Sequence, residues 1–224
     1  MPHETKKAMN SGEQAYRYII ESIKNATLLP GCRIRENDLV QTIGLSRTPI
    51  REAINLLINE GLITNDQKRG FIITELDQNM IAQLYEMREV LEGAAARLAA
   101  QHASDVEISI LENIVEDQTR AKTLQDIAKN NKIFHSTLYQ CAHNKFLLKT
   151  IQELENSLLL LGSTTLKDPQ RQLQSHQEHL DILNALKNRN LQQAKECAEF
   201  HIRQAYKIRL DRFLLKKKLS SKHF

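Results

Sequence analysis

Turn-forming residues are scarce. The 224-residue chain has seven glycines and four prolines, and most of them, including Gly12, Pro30, Gly31, Gly44, Pro49, Gly61 and Gly70, precede residue 75. Beyond Thr74 a fold of many tight turns is excluded, and long stretches of helical periodicity run with almost no turn chemistry. That change of texture puts a domain boundary near Glu75–Gln78, dividing the chain into residues 1–75 and 76–224. Cysteine is sparse too. Cys32, Cys141 and Cys197 are an odd number at wide spacing, which excludes a disulfide framework or zinc knuckle and leaves buried thiols as the expectation. No apolar run approaches the ~18 residues needed to span a bilayer. Residues 1–20 lack the pattern of a secretory signal, so a cytoplasmic protein without a membrane partner is expected. Neither sign of charge dominates: 31 Lys and Arg face 27 Asp and Glu, a net +4. Nucleic-acid binding must therefore be argued from where the cations sit. There is no internal repeat, and the one biased segment is the Lys-rich tail, Lys216 to Lys222, which reads as a solvated terminus. What the chain does have is 41% hydrophobic and 26% charged residues, enough for real cores under a water-exposed surface.

In the first seventy-five residues, Ala15, Tyr16, Ile19, Ile20 and Ile23 recur at helical spacing and mark one apolar face. Leu29-Pro30-Gly31 then suits a type II turn. A short helix from about Glu36 buries Leu39, Val40 and Ile43 and stops at Gly44. Ser46 is a suitable N-cap for the next helix, and Pro49 sits in its first turn. Ile50, Ala53, Ile54, Leu57 and Ile58 form that helix's buried stripe, which ends at Gly61. Two short helices around a tight turn make a helix-turn-helix. Ser46, Arg47, Thr48 and Arg51 gather at the N-terminal end of the second helix, the end that a recognition helix pushes into the major groove. Arginine can pair bidentately with guanine, and the helix N-terminus itself favours phosphate. Leu62–Thr64 and Phe71–Thr74 read as two strands joined by residues 65–70, a wing with Lys68 and Arg69 at its tip. Arg47 and Arg51 alone would suit a solvated helix face. The full order of helix, turn, helix and hairpin favours DNA.

Leu29-Pro30-Gly31, Ile34, Glu36, Leu45-Ser46-Arg47-Thr48-Pro49-Ile50-Arg51-Glu52-Ala53, Glu60-Gly61-Leu62 and Arg69-Gly70 together resemble the GntR-family winged helix. The resemblance places Ser46, Arg47, Thr48, Arg51, Arg69 and Gly70 at DNA-contacting positions. Val40 stands where that family usually has alanine, a departure expected to affect packing only.

From Asp77 onward, periodicity and caps predict six helices, over about 78–102, 104–121, 124–142, 145–163, 169–188 and 190–218. Ser104 with Glu107 forms a capping box, and Asp168 caps a helix that begins at Pro169. The fold class expected is mainly α, a winged helix-turn-helix followed by an all-helical bundle. Polar residues on the apolar stripes are informative, because burying them without partners is costly. Asn131 and His135 lie one turn apart among Ile127, Phe134 and Leu138. His179 shares a face with Ile182, Leu183 and Leu186, and His201 lies among Ala194, Ala198, Ile202 and Ala205. One such histidine is more often a hydrogen-bonded core residue. Three of them with a side-chain oxygen also make an ordinary ligand set for Zn²⁺, Ni²⁺, Mn²⁺ or Fe²⁺. Spacing alone leaves both readings open.

Asn131-x-x-Phe134-His135-x-x-Leu138, Glu178-His179 with Ile182, and His201 are similar to the FCD-type sensor domain of the FadR/VanR-like branch of GntR regulators. The resemblance implies a divalent metal held by one Asp and three His, the metal in turn holding a carboxylate effector. Here Asn131 replaces the Asp, and a neutral amide oxygen binds a divalent cation less tightly. Arg88 matches a position facing the effector, where a guanidinium grips a carboxylate. An internal ion pair with a bundle glutamate is the alternative. His176 is expected to line the pocket or to stand behind the ligand residues, while Tyr85 and Tyr139 read as core, with pocket hydroxyls as the alternative. The whole implies a homodimeric regulator on a palindromic double-stranded operator, acting as a repressor whose grip changes with a small organic acid. A metal sensor and a metal-dependent enzyme are the rival readings.

Overall fold

A computed structural model describes residues 10–162 and 164–220. Within the Lys-rich tail, Lys222 lies outside the described residues, and the side chains of Lys216 and Lys217 are likewise outside the description. The fold is mainly α, with a winged helix-turn-helix ahead of a helical domain, as expected. It divides into two compact units. Among the described residues, the first holds 10–76 together with Glu155–Gly162, and the second holds Asp77–Leu154 and 164–220.

In the first unit, α1 (Ser11–Lys24) starts where the Asn10 side chain accepts the Gly12 N–H at 2.9 Å. It buries the expected face of Ala15, Ile19, Ile20 and Ile23. The turn after it closes with Cys32 N–H donating to Leu29 O at 3.0 Å. Gly31 has φ +81°, which a Cβ would strain at the third turn position. Helices α2 (Glu36–Ile43) and α3 (Arg47–Asn59) follow, and α3 buries Ile50, Ala53, Ile54 and Leu57. Ser46 takes the N-cap position of α3, but its hydroxyl makes no capping bond. The wing strands β1 (Ile63–Asp66) and β2 (Gly70–Ile73) pair antiparallel with Ile63 opposite Ile73. They reach further toward the tip than periodicity suggests, because Asp66 organises the turn: its Oδ1 accepts Lys68 N–H at 2.9 Å and Arg69 N–H at 2.7 Å.

The helix expected over 145–163 is shorter in the structure. α7 (Lys145–Leu158) gives way to a 3₁₀ turn, Leu159–Leu161, closed by Gly162. Leu160 then joins the core of the first unit. There the Glu60 carboxylate accepts the Tyr16 hydroxyl at 2.8 Å and the Asn156 amide at 3.2 Å. Burial, reinforced by Glu60, pushes the Tyr16 phenol up to about 12.

The second unit is built from α4 (Gln78–His102), α5 (Asp105–Arg120), α6 (Leu124–Cys141), the start of α7, a 3₁₀ turn (Thr165–Lys167), α8 (Pro169–Lys187) and α9 (Leu191–Ser220). The Ser104–Glu107 capping box and the Asp168 cap ahead of Pro169 are both formed. α4 packs most extensively on α9, and both present small side chains: Ala95, Ala96, Ala99 and Ala100 on one, Ala194, Ala198 and Ala205 on the other. No described helix is long and apolar enough to cross a membrane. Leu111 is fully enclosed beside Ile108, Val115 and Phe134. Leu111→Ala should cost about 2–5 kcal/mol by leaving a cavity. Urea unfolding followed by circular dichroism checks this, and an unchanged midpoint would contradict the packing.

Candidate functional site

Two polar constellations stand out, one in each unit. The first is the exposed N-terminal end of α3. Ser46, Arg47 and Thr48 are exposed there, and no acidic residue occupies the first turn. The backbone N–H groups and dipole of that turn therefore meet an anion unopposed. Each arginine is held by a residue at the start of α2, a feature that periodicity does not disclose. Arg47 Nη2 donates to Asn37 Oδ1 at 3.2 Å, and Arg51 Nε donates to both Glu36 oxygens at 3.0 and 3.1 Å. In the wing, Arg69 Nη2 donates to Gly31 O at 2.8 Å. Gly70 has φ +75°, a left-handed conformation that any side chain would strain.

The second constellation lies inside the bundle. His135 on α6, His179 on α8 and His201 on α9 are buried, and their ligand-capable nitrogens lie within 4.8 Å of one another. Each Nδ1 faces an oxygen from elsewhere in the bundle. For His135 it is Glu92 Oε2 at 2.9 Å, for His179 Gln118 Oε1 at 3.0 Å, and for His201 Glu178 Oε2 at 2.6 Å. An acceptor at Nδ1 puts the ring proton there and leaves the lone pair on Nε2. The Nε2 atoms of His135 and His201 then face each other at 3.2 Å, and that of His179 is buried with no partner. Lone pairs brought this close are relieved by a proton shared between His135 and His201 or by an electron-pair acceptor among the rings. A divalent cation is such an acceptor, so the residues fit a metal.

Two matching arms brace the pair. Arg88 donates to Glu92 through Nε at 3.1 Å and Nη2 at 2.6 Å, and Glu92 meets His135. Arg171 donates to Glu178 at 2.7 Å, and Glu178 meets His201. Burial opposes ionisation of both glutamates. Arg88 and His135 nevertheless hold Glu92 below the usual carboxylate range, as His201 and Arg171 do Glu178. Arg88 thus forms an ion pair with a bundle glutamate in this structure, and its guanidinium also lies 5.2 Å from the Tyr85 ring.

Asn131, half-buried one turn before His135, lines a cavity of about 280 Å³ with Gln118, Ser175, His176 and His179. His135, His201 and Arg88 do not line it. The three histidines therefore come together, with Asn131 on the cavity side of the cluster. Gln118 Oε1 also meets His176 Nδ1 at 3.3 Å, while its Nε2 is buried without a partner. Glu92, Gln118, Arg171 and Glu178 escape a reading of apolar stripes. The signal for two of them was local: Glu92 is four residues after Arg88, and Glu178 directly precedes His179.

Burial drives His179 well below the ordinary 6.5, and drives His201 down to about 4 despite Glu178. Neutral imidazoles are the form that binds metal. Unfolding returns both rings to water, so below pH 6.5 the unfolded chain binds protons that the native bundle refuses. Chelator-treated protein should lose thermal stability as pH falls from 6.5 toward 5, above the carboxylate range. A melting temperature flat across that window would contradict the burial of these rings.

A basic helix end in a winged helix, followed by a helical bundle with an internal polar site, is the build of a DNA-binding transcription regulator. Residues 11–73 match the model of bacterial regulatory proteins of the gntR family, and residues 83–204 match the FCD domain. The chain belongs to the GntR family, with an FCD domain as its second part. It is 35% identical to the Nta operon transcriptional regulator of Aminobacter aminovorans over 76% of this chain and 80% of that protein. It is 31% identical to the HTH-type transcriptional regulator YdhC of Bacillus subtilis (strain 168), over 84% of each. Among solved structures it is similar to E. coli McbR/YncC, with a TM-score of 0.74 at 19% identity over 91% of this chain and 99% of that one. Listeria monocytogenes Lar gives 0.61 at 20% identity over 92% and 99%. These two likenesses concern the fold alone.

Proposed function

We propose that this regulator reads a palindromic operator as a homodimer and that a small organic acid, held through a divalent metal, sets its grip. Residues 1–75 form the reading domain and 76–224 the sensing domain, apart from 155–162, which pack with the first. Ser46, Arg47, Thr48 and Arg51 enter the major groove, while Arg69 and Gly70 carry the wing to the backbone or minor groove. His135, His179 and His201 hold the metal through Nε2, with the Asn131 side-chain oxygen as the fourth ligand. When bound, Zn²⁺, Ni²⁺, Mn²⁺ or Fe²⁺ supplies positive charge and open coordination positions.

The clustering of three buried imidazoles, with Nε2 of His135 and His201 face to face and that of His179 unpartnered, carries this reading. Charge balance supports the acid. All four ligands are neutral, and each arginine of the site is already matched by a glutamate. The cation's charge thus has no counter-charge among its own ligands, and an anion entering the adjoining cavity supplies one. The cavity walls carry amides, hydroxyls and imidazole but no Lys or Arg, so the acid group is met at the metal. The acid changes DNA affinity only by its differential affinity for the two states, and the action proposed is repression relieved by the acid.

Arg47→Ala and Arg51→Ala should each weaken specific binding by about 1–3 kcal/mol in fluorescence-anisotropy titrations on a selected duplex. Operator binding as usual by both variants would contradict the placement of the recognition helix. For sensing, the full chain is titrated onto that duplex with a panel of small carboxylates, metal-loaded or stripped. An acid should shift affinity about 5–150-fold in the loaded protein, and not at all in the stripped protein or in His179→Ala. A shift caused by metal alone would favour the metal sensor instead.

A further inference from the structure

We infer that Glu36 positions Arg51 for base reading, so that the first turn of α2 sets which base pair α3 selects. The inference rests on the proposal above that Arg51 meets a base edge. Both Glu36 oxygens accept from Arg51 Nε, at 3.0 and 3.1 Å. No partner for the two Nη groups occurs among the described residues, and the arginine side chain is 61% exposed against 20% for Glu36. The guanidinium is therefore clamped by its inner nitrogen to a largely enclosed carboxylate, while its outer fork of N–H donors faces outward. That fork is what pairs with guanine O6 and N7. A long side chain loses much rotamer freedom on binding, and one already held loses less. Glu36 is itself fixed as the first residue of α2, where the helix dipole favours a carboxylate. Asn37, the next residue, holds Arg47 Nη2 at 3.2 Å in the same manner. Two successive residues of one turn thus set the directions of two arginines on another helix.

A rival role makes the opposite prediction. If Glu36 only offset positive charge near phosphates, its removal would strengthen binding to every duplex alike. An exposed ion pair of this kind contributes little to folding, so the variants should remain folded.

The test uses the full chain, a duplex that it selects from a randomised pool, and that duplex with each base pair replaced in turn. Arg51→Ala first identifies the base pair that Arg51 reads. Glu36→Ala should lose about tenfold of discrimination at that base pair. Glu36→Gln, which keeps an acceptor without the charge, should restore part of it. The double variant Glu36→Ala/Arg51→Ala should discriminate no worse than Arg51→Ala. Equal changes across all duplexes, unaltered discrimination in Glu36→Ala, or identical behaviour of the Ala and Gln variants would overturn the inference. If Arg51→Ala keeps full discrimination everywhere, what fails is the base-reading role of Arg51 itself.

Discussion

Three imidazole lone pairs brought close together in a buried cluster are unfavourable unless a proton or a cation lies among them. The interior of the helical bundle is arranged around that cluster. His135, His179 and His201 come from three helices, and the oxygens behind them come from α4, α5 and α8. The rings are held from behind as well as packed at the sides: Phe134 stacks on His179 with ring centroids 4.0 Å apart. A ring that turned would give up its hydrogen bond to a buried oxygen, which opposes the movement. Arg88 and Arg171 close the array at its two ends and keep Glu92 and Glu178 ionised. The site is thus preorganised by groups that need never touch a ligand.

The DNA-reading end uses the same device in an exposed setting. There, too, a charged side chain is held by a partner on a neighbouring helix, Glu36 for Arg51 and Asn37 for Arg47. The surroundings set the difference in strength. Water and salt screen the exposed pairs, which add direction but little stability. The buried glutamate–histidine contacts are not screened, and breaking one leaves an uncompensated polar group. One chain therefore combines a buried polar core braced by ion pairs with an exposed helix end whose arginines are held by lighter contacts.

The legible parts of the fold were those written locally. Apolar spacing gave the buried faces of α1 and α3, and Ser104–Glu107 and Asp168-Pro169 marked helix starts. The histidine cluster was legible because imidazoles on apolar stripes are conspicuous. What stayed hidden depends on distant partners. Arg171 is 1% exposed, yet it lies in a polar run that reads as a solvated face, because Glu178 and His201 meet it only in the folded bundle. Gln118 is similarly anonymous until two histidines converge on its oxygen. The end of α7 at Leu158 has no strong stop before Gly162, and the apolar run from Leu158 to Leu161 looks like more helix. For Arg88, sequence left two partners open, and the structure pairs it with Glu92.

The central claim is that the three Nε2 atoms converge on a cation. Anomalous diffraction from crystals of the full chain grown with Zn²⁺ or Mn²⁺ tests it most directly. The account predicts a single anomalous peak within the bundle, roughly 2.0–2.1 Å from Nε2 of His135, His179 and His201 for zinc. An interior without such a peak, with the His135 and His201 rings turned so that one donates a hydrogen bond to the other, would contradict it.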